Sequence, residues 1–295
     1  MPPGRDARGH RRRDPDHRVG ASVAAGRLVI AARATTRQPR RAAWLLGVLA
    51  TASIALTGCA GASPAVKTSD VFGAAPWKAG ERLEYRLRND QGDELGRGIF
   101  TTQQDGDRLV LAQAFTEAPG RTPAGATALK DDIALTVDAK TLRPVQGTRI
   151  SVARDASGKG QGTRTTWTYR PEGDRLHLAT KVERDGAKPE EGEVTLRPHA
   201  YDNESSLWLW RSIPFAEGYD QAYVSANALD RTQQTVSLRV PQREQVEVPA
   251  GKFDTWRILL RNGRAVRTAW ISIAAPHQIV RWDNGEVIFE LVKAE

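Results

Sequence analysis

Leu83-Glu84-Tyr85-Arg86-Leu87-Arg88 sets an apolar side chain at every second position and a charged one between. A period of two gives a β-strand with one dry face and one wet face. The same pattern recurs along the rest of the chain. Leu176, Leu178, Thr180 and Val182 alternate with polar or small neighbours, as do Val236, Leu238 and Val240. Trp256, Ile258 and Leu260 follow, then Val287, Phe289 and Leu291. Between the runs lie turn signals: Asn89-Asp90-Gln91-Gly92, Asp105-Gly106, Asp155 to Gly162, Glu172-Gly173-Asp174, Asp185-Gly186, Asn262-Gly263 and Asp283-Asn284-Gly285. Asn-Gly and Asp-Gly pairs suit tight hairpins. From residue 77 onward no helical apolar spacing lasts beyond about two turns. The expectation is an all-β, antiparallel architecture of roughly a dozen strands, forming an open or half-closed barrel or a sandwich.

Ser206 to Arg211 breaks the alternation, because Leu207 and Leu209 are interleaved with Trp208 and Trp210. Read as a strand, this stretch is apolar on both faces. It is then either buried on both sides or lines a hydrophobic cavity with Trp256 and Trp270. With no second cysteine, stability has to come from the core, and Trp77, Trp167 and Trp282 join these four among the large apolar side chains.

Upstream, the chain changes character. Arg40-Arg41 precedes an apolar run from Ala42 to Ala55, and Leu56-Thr57-Gly58-Cys59 follows. The run is too short to span a bilayer and has the layout of a secretory signal. Leu-Thr-Gly-Cys resembles the lipobox of bacterial lipoprotein precursors, in which the cysteine is lipidated and becomes the amino terminus. Cys59 is the single cysteine of the chain. The resulting division is a leader (1–58, apolar region 42–55), a lipid-anchored flexible tether (59–76) and one β-rich domain (77–295). The resemblance implies a membrane partner reached through lipidated Cys59. It also implies residence in the cell envelope, on the periplasmic side of the outer membrane in a host with two membranes.

The leader also explains the charge. The chain has 43 basic and 35 acidic side chains, a formal net of +8. Residues 1–58 hold 11 of the former and three of the latter, so the remainder balances at 32 of each. A nucleic-acid partner, which needs a basic footprint, is therefore not expected.

The second half carries a further resemblance. Tyr201-Asp202-Asn203-Glu204-Ser205-Ser206-Leu207 runs into Arg211-Ser212-Ile213-Pro214-Phe215; Val246-Glu247-Val248-Pro249-Ala250-Gly251-Lys252-Phe253-Asp254-Thr255-Trp256 follows. Thr268-Ala269-Trp270 and Pro276-His277-Gln278-Ile279-Val280-Arg281 complete the series. Together they resemble bacterial envelope proteins with the domain of unknown function 3108. The resemblance implies an exported β-rich domain and transfers no catalytic residue. Pro249 and Gly251 are read as a turn between two strands.

Chemistry is sparse. There is no nucleophile elbow, phosphate-binding loop or zinc-protease motif. No cofactor, metal site or catalytic residue is nominated, and the chain is read as a non-enzyme. The densest polar group is His199, Asp202 and Glu204; a hydrolase built on them is the least favoured alternative. Arg211 is expected to pair with Asp202 or Glu204. The favoured reading is binding of an apolar ligand or a partner protein on a curved sheet. A structural or assembly scaffold with a filled core is the alternative, and a cavity large enough for an acyl chain separates the two.

Overall fold

The computed structural model describes residues 66–118, 130–154 and 160–295. Cys59, the signal region and the Asp155–Lys159 part of one turn signal lie outside the described residues. Among the described residues fifteen strands form one sheet. They are β1 (Arg82–Arg88), β2 (Glu94–Asp105), β3 (Arg108–Glu117), β4 (Lys130–Asp138), β5 (Pro144–Arg154), β6 (Gly160–Glu172), β7 (Arg175–Arg184) and β8 (Glu190–Thr195), then β9 (Ala200–Asp202). After a short helix, α1 (Ser206–Leu209), come β10 (Tyr219–Asn227), β11 (Thr232–Val248), β12 (Gly251–Asn262), β13 (Ala265–Ser272), β14 (Ile279–Asp283) and β15 (Ile288–Ala294).

The order across the sheet is β8 down to β1, then β15 down to β9. Two meanders therefore meet at the β1–β15 pair, where the first and last strands bond antiparallel. Arg82 and Glu295 exchange main-chain hydrogen bonds at 3.0 and 2.9 Å to seal that seam. Every neighbouring pair is antiparallel except β9, which lies parallel to β10. The all-β, antiparallel expectation holds; fifteen described strands stand against roughly a dozen, and of the alternatives one open, curved sheet is realised rather than a sandwich.

Each hairpin follows from local chemistry. Gly106 and Gly263 sit at φ of 60° and 58°, the left-handed region that a two-residue turn after Asp or Asn requires. β11 runs 17 residues with Pro241 inside it. The register with β12 shifts between Arg239 and Gln242, so the proline falls at a bulge and no ladder bond is lost to it. The Pro249–Gly251 turn joins β11, ending at Val248, to β12.

The sheet does not close through main-chain bonds. Its edges β8 and β9 are consecutive in sequence, separated by residues 196–199, so they come near each other. Side chains bridge the gap: Gln233 accepts from the Arg197 main-chain N–H at 2.7 Å, and Arg231 donates to Thr180 Oγ1 at 3.2 Å. Strand β8 presents Glu190, Glu191 and Glu193 to solvent, a charged edge that discourages pairing with another chain.

Two expectations are corrected here. Ser206 to Arg211 is not a strand: α1 and a 3-10 turn at Trp210–Ser212 wind it into a compact plug. A helical turn sends side chains to all sides, so a stretch apolar at every position can be buried all round. The expected tether also ends earlier than residue 76. Ser69 donates its N–H to Ala222 O, and Gly73 donates to Ser212 O, each at 3.0 Å. Val71 is buried, and Phe72 packs edge-on against Tyr201 and Tyr223.

Candidate functional site

The plug sits where the sheet curls round it. Trp208 stacks on Phe100 of β2 at 5.2 Å between ring centroids, and Trp210 leans on Trp282 of β14 at 4.8 Å. The Trp210 indole N–H donates to the Tyr223 hydroxyl of β10 at 3.1 Å. Leu207, Trp208, Leu209 and Trp210 are at most 4% exposed. These four expected cavity residues are brought together, but as filling. Trp256, in the same core, stacks on Phe215 and has Arg243 4.2 Å from its ring centroid. Trp270 is on the outer face, donating to Glu244, with Arg281 5.2 Å from its ring.

Below the plug lies a buried polar cluster. Asp202 accepts from Trp167 Nε1 at 2.8 Å and Tyr169 OH at 2.5 Å, both on β6, and caps the following 3-10 turn by accepting from Glu204 N at 2.7 Å. Gly147 of β5 makes room for Trp167: a Cβ there would stand 2.3 Å from the indole. Arg149 of β5 donates from Nε to Asp131 of β4 at 2.6 Å, and Gln113 of β3 donates to Glu204 O at 2.6 Å. Burial pushes the Asp202 carboxyl up to about 6 against its three hydrogen bonds. Burial, helped by Asp202 and Asp131 and opposed by Arg149, pushes Glu204 up to about 7.

Arg211 does not pair with Asp202 or Glu204. It forms a buried bidentate pair with Glu81 at 2.7 Å and donates to the carbonyls of Pro276 and His277 at 2.9 Å. Its planar fork fits four acceptors that converge on it, and the Trp77 ring lies 5.2 Å from its centre. His199 turns away from its sequence neighbours. At φ 60° it faces outward and bonds Asp70 at 2.9 Å, so imidazole and buried carboxylates serve different places. Among the described residues no group of three or more His, Cys, Asp or Glu is arranged to hold a metal.

One concavity lies outside the barrel-like curve, on the outer face of β2–β5. It has a volume of about 320 Å³ and is floored by Ala112, Ala114 and Ala134 between Ile99 and Ile150. Small residues in adjacent strands sink the surface, and the isoleucines wall it. Sequence reading missed this groove, because alanines matter here only through the pairing that aligns them. It also missed Trp167, Tyr169 and Glu81, whose partners are far away along the chain.

The family described as protein of unknown function (DUF3108) matches residues 82–292. The chain belongs to that family. The DUF3108 match begins at the first strand and ends within the last, so it takes in the seam, the plug and the groove. Among solved structures, the chain is similar to a β-barrel-like protein with the domain of unknown function DUF1849 from Brucella abortus. Identity there is 13%, with 74% of this chain and 97% of the other covered, at a TM-score of 0.45. It is also similar to a candidate lipoprotein from Parabacteroides distasonis, at 9% identity, 77% and 100% coverage and a TM-score of 0.30. A candidate exported protein with a YmcC-like fold from Bacteroides fragilis gives 10% identity, 76% and 99% coverage and a TM-score of 0.29. No curated protein matches the DUF3108 chain in sequence.

Proposed function

We propose that this DUF3108 chain is a cell-envelope lipoprotein, anchored through Cys59, whose folded part is a non-enzymatic binding module that works through its outer sheet face. The lipobox and the neutral balance after residue 58 support the location. In a host with two membranes, Ala60 after the cysteine, where no Asp stands, favours the outer one. The observation that carries the binding reading is the contrast between inside and outside. The interior is packed with Trp208, Trp210 and Trp282 at 2% exposure or less, while the apolar groove opens on the outside. Ligand sites are concave and mostly apolar, and this groove reaches the lower end of their usual size.

The filled core equally supports a scaffold. The charged β8 edge argues against scaffolding by strand addition, so a scaffold would also use the outer face.

Native mass spectrometry of the mature protein, gently purified from the envelope, tests the reading. An apolar molecule that co-purifies and is lost in Ala134→Asp is the expected result. No apolar molecule on either protein, with a second polypeptide held instead, overturns the ligand form in favour of the scaffold. Labelling cells with radioactive palmitate tests the anchor: label is expected on the wild type and absent from Cys59→Ser.

A further inference from the structure

Beside the groove, one cross-strand row on the outer face runs through ten strands from β5 to β11. Its members in order are Val152, Lys130, Thr116, Arg97, Arg86, Glu290, Arg281, Trp270, Arg257 and Gln242, each paired with the next. Strands lie about 4.8 Å apart, so the row is a ribbon roughly 40 Å long. It holds five cations and one carboxylate. Arg86 and Arg97 stand directly opposite each other, an arrangement of like charges that destabilises a sheet.

Neighbouring carboxylates only partly balance the ribbon. Glu290 serves both Arg86 and Arg88, at 2.7 and 2.8 Å. Glu94 meets Arg97 at 3.0 Å, and Glu244 is 3.8 Å from Arg257. Arg281 contacts the Trp270 ring and, among the described residues, forms no ion pair. Arg86, Arg97 and Arg257 keep from over a third to about half of their side chains exposed. Guanidinium forks presented in this way favour an anion that supplies several oxygens at once. The ribbon and the groove touch: Ile99 lies two residues from Arg97 on the same face of β2, and Ala114 two residues from Thr116 on β3.

We propose that this outer face binds anionic phospholipid, the arginines of the ribbon engaging the phosphate-bearing head and the groove taking part of an acyl chain. This rests on the outer-face reading above and names its ligand class. The cations hold the charged head by charge-assisted hydrogen bonds, and the groove excludes water from the chain.

The test is calorimetric titration of the mature protein, in non-ionic detergent, with dihexanoyl phosphatidylglycerol, dihexanoyl phosphatidylcholine and inorganic phosphate. The expected result is binding of the glycerol lipid at least about tenfold tighter than either of the others, about 1.4 kcal/mol. High salt, which shortens the screening length from about 10 Å to 3 Å between 0.1 and 1 M, is expected to weaken it. Arg97→Gln with Lys130→Gln, the two ribbon cations carried by the strands that form the groove, is expected to lose at least tenfold, and Arg170→Gln on β6 serves as the control. Ala134→Asp is expected to weaken lipid binding by a similar factor. Equal binding of phosphate overturns the lipid in favour of a bare anion site. Equal binding of the choline lipid, indifferent to salt, overturns the ribbon while leaving the outer-face reading intact. Binding of none of the three overturns this assignment, and the molecule that co-purifies then decides the broader reading by itself.

Discussion

Asp202 shows how one side chain ties the elements together and what that costs. It is fully buried, and two β6 donors plus the Glu204 N–H fill its oxygens. Its value of about 6 lies above the ordinary 3.8, so the folded state holds the proton more tightly than the unfolded chain. The sign follows: stability from this group is complete below about pH 4 and is lost as pH rises towards about 6. Glu204 acts in the same direction between about 4.5 and 7. Asp202→Asn removes one of these titrations. Denaturant unfolding at pH 4 and 6.5 is expected to show a loss of stability with pH that is smaller in the variant by on the order of 3 kcal/mol. Parallel curves for the two proteins would contradict it. Arg211 is the other decisive residue. Arg211→Ala strands Glu81 in the core and is expected to cost about 3–5 kcal/mol. Arg211→Lys is expected to recover less than half of that in the same unfolding assay, because an ammonium cannot reach a carboxylate and two carbonyls in one plane.

Among the elements, α1 and its flanking turns decide whether the sheet encloses a ligand or itself. Removing Trp208 takes away the partner of Phe100 and opens a cavity in the hydrophobic core. Trp208→Ala is expected to lower stability by about 3–5 kcal/mol and to lower the melting temperature accordingly; a change under about 1 kcal/mol would mean that the plug is not part of the core. The β5–β6 pair shows the converse case, where space is reserved for a large ring. Gly147 stands opposite Trp167, and the Ala variant has to displace an indole that is tied to Asp202. The strands were legible in the sequence because alternation is local. The plug was not, because Leu-Trp-Leu-Trp satisfies a strand period as well as a buried helical turn. Only the surrounding sheet distinguishes the two.

At the scale of the whole molecule, the seam between β1 and β15 joins two meanders at the middle of one open sheet. Residues about 200 apart in sequence hold that seam, as in the Arg86 and Glu290 pair. Because the two ends meet, a circular permutant joining residue 295 to residue 77, with new ends at the Gly173 turn, is expected to keep the wild-type far-UV circular dichroism and a single unfolding transition. Deleting β15 instead is expected to abolish cooperative unfolding, since it exposes the centre of the sheet rather than an edge. The sequence by itself determined the all-β class, the hairpin turns and the family, all of which are written in neighbouring residues. Only the tertiary structure decided the partner of Arg211, the filled interior, the docking of residues 69–73 and the ribbon of cations beside the groove. Those features depend on which strands lie side by side, and a strand's own pattern fixes which face it buries but not which distant strand it pairs with.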